Sequence, residues 1–276
     1  MINKYLLKNV SIIFNENPIA RAYLQLFIKN NLINNKIIYL DNKVIFNNFF
    51  LKIKYNLFFS KVKVYLKTKS ILEFIHNIED FFQLERNFLI EMYNFENIFL
   101  FKNLEFAKHH NINNEFNVKY FRSLKEINFL NSSNTILKNI FHSKKNFYHI
   151  HPGYLYKVRG ADGALNSINQ FNEIGASLYL MDSKIDNGKI IKRIKINFKK
   201  INFPGHKSIK VSDLYNLWYA FYDPALRVSL LKRLLEENLS LNIFEKINKN
   251  EENNYYSFIK KDELESIFNE KVFAKN

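Results

Sequence analysis

The residues best placed to do chemistry lie in the run Phe147-Tyr148-His149-Ile150-His151-Pro152-Gly153. An apolar strand ends near residue 150, so His149 and His151, two apart, project from one side of its carboxyl end. Ligands of parallel α/β sheets bind at that end. A loop follows that holds Gly153, Gly160 and Gly163 and one fixed cation, Arg159. A helix over about 164–171 and a strand near 176–181 then lead into Asp182-Ser183-Lys184-Ile185-Asp186-Asn187-Gly188, a turn with two carboxylates. A histidine pair and a carboxylate on neighbouring loops suit proton transfer and stabilisation of an oxyanion. The rival chemistry is a metal-dependent hydrolase that uses His149, His151 and Asp186, because His-x-His after a strand is a common ligand spacing. Such a site needs further ligands. His76, His109, His110 and His142 lack ligand-like spacing, which leaves His206 alone downstream, so no metal is expected. Arg159 either contacts a phosphate or pins its own loop, with pinning favoured, and Asp162 reads as a cap for the next helix.

The two segments together, His149-Ile-His-Pro-Gly-Tyr-Leu-Tyr-Lys-Val-Arg-Gly160 and Met181-Asp-Ser-Lys-Ile-Asp-Asn-Gly188, resemble the folate-dependent formyltransferase family. That family joins an Asn-x-His-Pro-(Ser/Gly)-x-Leu-Pro-x-x-Arg-Gly motif to a Met-Asp-x-x-(Leu/Ile)-Asp-x-Gly motif, and the match spans about residues 147–192. The resemblance implies a Rossmann-like formyltransferase domain with a mostly parallel sheet. It further implies transfer of a formyl group from 10-formyltetrahydrofolate to a primary amine, without a metal. His151 matches the catalytic histidine that polarises the formyl oxygen. Asp186 matches the aspartate that sets this histidine's charge state and helps remove the amine's proton. Lys184, Ile185 and Gly153 fall on the folate side and Arg159 on the substrate side. The chain departs from the pattern twice, with His149 at the asparagine and Tyr156 at the second proline. A neutral imidazole offers one N–H to an oxyanion, so the role survives with a different reach. The alternative is a divergent or inactive homologue.

Aminoacyl-tRNA formylating members carry a β-rich C-terminal domain, whereas this chain turns helical after Pro204. His-Pro-Gly and Ala-Asp-Gly look closer to members that formylate nucleotide-linked amino sugars for surface polysaccharide. A sugar nucleotide is therefore the implied acceptor, with glycinamide ribonucleotide a third choice.

The elements that must hold these residues read as a β-α-β unit followed by further alternation. Val10–Phe14 suits a buried strand, Asn17-Pro18 caps a helix over about 19–31, and Lys36–Leu40 is the next strand. Ser70 with Glu73 reads as a capping box that opens a helix to about residue 93. Asn97–Lys102 and Phe147–Ile150 read as core strands, with a helix between them capped by Ser132 or Ser133 and reaching about residue 141. Residues 44–68 suggest strand pairs outside the simple alternation. Ser212 caps a helix that bears Leu214, Leu217, Trp218 and Phe221, which Asp223-Pro224 ends before another begins. The expected organisation is an α/β domain over 1–204 and a helical C-terminal appendage over 205–276, whose Leu and Phe stripes read as core or as the interface of a homodimer.

At about 150 residues per domain, 276 residues make one large domain or one with an appendage. Hydrophobic residues at 47% and charged residues at 24% fit a globular core and exclude disorder. All six glycines follow residue 150, so the first βα turn is neither a dinucleotide fingerprint nor a P-loop, both of which need glycine against phosphate. There is no cysteine, no apolar run long enough for a membrane span and no signal-peptide pattern at Met1, so the expected compartment is the cytoplasm. The net charge of +15 invites nucleic acid, but that reading explains neither motif and ranks below. Two acid-free basic stretches, Lys52 to Lys69 and Lys189 to Lys210, read as solvated strand faces to which nucleotides or membrane phosphates could be drawn.

Overall fold

The computed structural model describes residues 5–40, 48–237, 239–246 and 252–274. Val10–Phe14 (β1) is buried along its whole length, which requires cover on both faces. It lies central in a seven-stranded sheet with β2 (Lys36–Tyr39), β3 (Asn103–Phe106), β4 (Asn128–Asn131), β5 (Asn146–His151), β7 (Glu173–Leu180) and β8 (Lys189–Asn197), ordered β3-β2-β1-β4-β5-β7-β8. β6 (Arg159–Gly160) pairs separately with β9 (Tyr255–Tyr256). The strands from β1 to β5 run parallel, while β7 and β8 are antiparallel to their neighbours. The α/β architecture with a mostly parallel sheet and a helical C-terminal region is present as expected. Alternate side chains serve two cores: Ile12, Phe14, Leu130, Tyr148 and Ile150 face one, and Ile13, Phe129 and Phe147 the other. Strand order reverses between β1 and β4, the kind of crevice in which α/β sheets bind ligands.

Asn17 caps the first long helix, Pro18–Lys29, by accepting from the Ala20 N–H at 2.9 Å, with Pro18 in the first turn. Elsewhere the structure corrects several expectations. The helix expected from Ser70 to residue 93 runs from Lys69 to Phe81 without a side-chain cap bond and restarts at Phe88–Glu91. The buried carboxylate of Glu79 explains the break, since it accepts from the backbone N–H groups of Asn87 at 3.0 Å and Leu89 at 2.9 Å. Asn97–Lys102 is not a strand. Asn94 accepts from the Glu96 N–H and starts a 3₁₀ turn over Phe95–Leu100, and the strand comes after it as β3. Ser132 and Ser133 cap no helix; they follow β4, where the Ser132 hydroxyl donates to the Ile13 carbonyl at 2.6 Å. The expected strand pairs of 44–68 are a helix, Asn48–Tyr65, and residues 44–47 lie outside the described residues.

Asp223-Pro224 does not end a helix either. Val211–Leu217 continues through a wide π turn, Trp218–Tyr222, into Asp223–Glu237. Proline lacks an N–H, so the carbonyl four residues back, that of Ala220, loses its helical partner. The Tyr93 hydroxyl donates to that carbonyl at 2.8 Å, and the Asp223 N–H reaches back to Trp218. The core cluster that holds Phe203 also holds Leu214, Trp218, Leu234, Phe268 and Phe273, so one core spans both sides of residue 204. Among the described residues no helix is long and apolar enough to cross a membrane.

Candidate active site

β5 ends at the carboxyl edge of the sheet, and its last residues carry His149 and His151 into a cleft of about 380 Å³. The turn after β7 brings Asp182, Lys184, Ile185 and Asp186 to the same cleft. His151 Nδ1 lies 3.5 Å from Asp186 Oδ1, so two segments 35 residues apart meet at one point, as their motifs imply.

Asp186 is held from three sides. Its backbone is left-handed, at φ 48°, a conformation aspartate tolerates better than most residues. Oδ2 accepts from the Gly160 N–H at 2.9 Å and Oδ1 from the Tyr179 hydroxyl at 3.1 Å. Burial alone would raise its carboxyl. Attraction to the His151 ring when that ring is protonated, the Gly160 N–H, the same attraction to His149 and the Tyr179 hydroxyl outweigh burial and hold it below the usual range, so it is a carboxylate.

His151 is 3% exposed. Its Nε2 lies 3.0 Å from the Val158 carbonyl, which can only accept, so Nε2 carries the proton and Nδ1 turns to Asp186. Burial lowers its basicity and exceeds the opposing pull of Asp186, so the ring rests neutral. The ring seats on bare backbone. A Cβ on Gly153 would come within 2.8 Å of Nε2, and one on Gly163 within 3.0 Å. Gly153 therefore packs beneath His151 and is absent from the cleft lining.

His149 takes the opposite tautomer. Its Nδ1 donates to the Asn131 carbonyl at 3.2 Å, which leaves Nε2 as acceptor for Arg227 Nη1 at 3.3 Å. Burial, then the Arg227 cation, pushes its pKa down to about 3. In this conformation the one N–H of His149 is taken by the Asn131 carbonyl. Arg227 instead brings positive charge to the cleft wall, braced by Asp223 with Nε to Oδ2 at 2.8 Å and donating to the Ile150 carbonyl. Of the trio in the rival metal reading, His149 Nε2 faces the Arg227 cation and His151 Nε2 faces the Val158 carbonyl. Among the described residues no group of three or more His, Asp or Glu side chains could hold a metal ion.

Of the other expected site residues, Lys184 and Ile185 line the exposed lip. Arg159 pins: its Nη2 donates to the Ile185 carbonyl at 2.9 Å and its Nη1 to Asn253 at 3.1 Å. Asp162 makes no side-chain cap to its helix; it accepts from the Tyr215 and Tyr219 hydroxyls and, at 2.9 Å, from the Ile259 N–H. The sequence reading missed Asn131, Arg227, Asp223, Tyr255 and Phe258, all of which line the cleft. Asp223 and Arg227 did leave a signal, an i, i+4 charge pair within an otherwise apolar run.

No family model and no curated protein matches the chain. Solved structures do. A sugar N-formyltransferase from a Shewanella species is 15% identical, with 90% of this chain and 76% of that one covered at a TM-score of 0.46. An N-formyltransferase from Helicobacter canadensis in complex with folinic acid and dTDP-3-aminofucose is 16% identical, with 90% and 70% covered at 0.44. Methionyl-tRNA formyltransferase from Clostridium thermocellum is 16% identical, with 58% and 63% covered at 0.38.

Proposed function

We propose that the chain is an N-formyltransferase that moves a formyl group from 10-formyltetrahydrofolate to the primary amine of a nucleotide-linked sugar. The observation that carries this reading is the 3.5 Å approach of His151 to Asp186 at the floor of the cleft, made by the two segments that resemble the family's motifs. A bound 10-formyl donor supplies the electrophilic carbonyl carbon. The lip fits its flat ring system: Ile136 and Ile185, both lining the cleft, are 51% and 43% exposed apolar side chains that such a ring would cover.

Attack by the amine places negative charge on the formyl oxygen and positive charge on the attacking nitrogen, which must then lose a proton while the bond from carbon to the folate nitrogen breaks. His151 Nδ1 is a lone pair backed by a carboxylate, so a proton delivered there is stabilised as an imidazolium–carboxylate pair. The fixed tautomer suits His151 to accept the amine's proton and hand it to the departing folate nitrogen. Arg227, a cation 7% exposed in the cleft wall, favours the oxyanion electrostatically. His149 acts through Arg227 by holding its Nη1, which answers the departure from the family's asparagine.

The test pairs binding with turnover. 5-Formyltetrahydrofolate, a stable stand-in for the donor, should bind the wild type and the His151→Ala and Asp186→Asn variants at one site per chain by calorimetry. Each variant should transfer formyl groups to amino-sugar nucleotides about 10²-fold or more slowly than wild type. Absent donor binding by folded wild type, or unchanged turnover in both variants, overturns the assignment.

A further inference from the structure

The helix Asn48–Tyr65, kinked at Phe59, shows two apolar stripes. Leu51, Tyr55, Phe59 and Val62 form the stripe that packs into the core. The other faces solvent: Phe49, Ile53 and Leu57, spaced i, i+4, i+8, are 63%, 40% and 73% exposed. Phe50, Phe58 and Val64 are 51%, 61% and 64% exposed, so among the described residues six of the fifteen exposed large apolar side chains fall on this one helix. Lys52, Lys54, Lys61 and Lys63 accompany them, and the helix holds no Asp or Glu.

An apolar outer stripe with lysines and no acid is the pattern of a helix that lies in the headgroup region of a bilayer. We propose that the outer face of Asn48–Tyr65 seats the protein on an anionic lipid surface, with the Phe and Leu side chains entering the headgroup–acyl boundary and the lysines meeting lipid phosphates. Charge complementarity selects this occupant over a second copy of the chain. Lys61 lies 4.0 Å from Asp213 beside the helix, but the helix itself supplies no carboxylate, so pairing two such faces gathers like charge that an anionic lipid surface would neutralise. The overall charge of +15 acts in the same direction. The proposal is independent of the reaction at the cleft, which the helix does not line.

Sedimentation with vesicles of 70% phosphatidylcholine and 30% phosphatidylglycerol, against pure phosphatidylcholine, tests it. The full chain should pellet with the anionic vesicles, weaken as salt rises, and bind neutral vesicles far less. Lys52→Glu should reduce the partition coefficient about tenfold or more, at roughly fivefold per unit of charge. Phe49→Ser/Leu57→Ser, both outward, should reduce it at least as much with an unchanged circular dichroism spectrum. Absence of pelleting by folded wild type overturns the proposal, as does equal binding by wild type and both variants or equal binding to the two vesicle types. Vesicle-independent self-association in sedimentation velocity, abolished by the double variant and without lipid binding, would also overturn it and assign the face to a second copy.

Discussion

At the scale of single residues, the site turns on how two histidines divide their protons. His151 and Asp186 were legible in the sequence because their types and spacing survive any uncertainty about the elements between them. His149 was legible as a position, but its tautomer was not, because that depends on the Asn131 carbonyl and on Arg227, both distant in sequence. The arrangement has a pH consequence. His149 is held down to about 3 in the folded protein by burial and the Arg227 cation, against about 6.5 in an unfolded chain. Between those values the unfolded chain takes up a proton that the folded protein refuses. This group therefore opposes folding increasingly as pH falls below 6.5 and has no effect above it. Asp186 is shifted down from about 3.9, so its linkage acts at lower pH, while His151, also lowered by burial, contributes to wild type and variant alike and cancels in their comparison. Urea unfolding at pH 7.5 and 5.0 should show the wild type losing about 2 kcal/mol more than His149→Asn over that interval. Equal losses would mean that His149 does not rest as a buried neutral ring.

At the scale of elements, apolar content rather than length decided which strands were readable. β1 and β2 carry the apolar runs Ile12–Phe14 and Ile37–Tyr39, whereas β4 is four residues, Asn-Phe-Leu-Asn, followed by two serines whose capping habit mimics a helix start. Proline at 224 misled for a related reason. Its usual effect is local, and the group that cancels it, the Tyr93 hydroxyl, comes from the turn after Phe88–Glu91, 127 residues earlier. The result matters for the site, because the unbroken helix carries Asp223 and Arg227 into the cleft wall, at 1% and 7% exposure. A buried ion pair is costly to break singly and cheap to replace as a pair. Arg227→Met should therefore lower stability by about 3–5 kcal/mol, and Asp223→Asn added to it should recover most of that loss. Turnover should stay low in the double variant, since the cleft cation is gone. Chemical denaturation alongside formyl-transfer assays separates the two effects, and recovered turnover would show that Arg227 serves packing alone.

At the scale of the whole molecule, the last residues of the chain belong to the site as much as to the core. Phe273 lies parallel to Phe268 at 5.6 Å and edge-on to Phe74 at 5.8 Å and Phe203 at 5.4 Å. Backbone bonds of 2.9 Å tie Ile201 to Val272 and Ala274 to Ile201. Upstream in the same tail, β9 pairs with β6, the Ala161 N–H donates to Tyr256 at 2.9 Å, and the Ile259 N–H donates to Asp162. Aromatic anchoring in the core thus sits a few turns of chain from the loop whose Gly160 N–H holds Asp186. The sequence showed the tail as polar and partly helical, and its few apolar residues gave no hint of that path, because every contact except that of Phe273 with Phe268 reaches across more than 60 residues. Phe273→Ala should cost about 3–5 kcal/mol, the usual range for a fully buried phenylalanine. It should also loosen the site before the sheet. By native-state hydrogen exchange, the amides of Ala161 and Ile259 should lose protection at denaturant concentrations where those of β1 keep theirs. Loss confined to residues after 260, with Ala161 still protected, would separate the anchor from the cleft. Simultaneous loss everywhere would instead make tail and sheet one cooperative unit, as their shared core cluster allows.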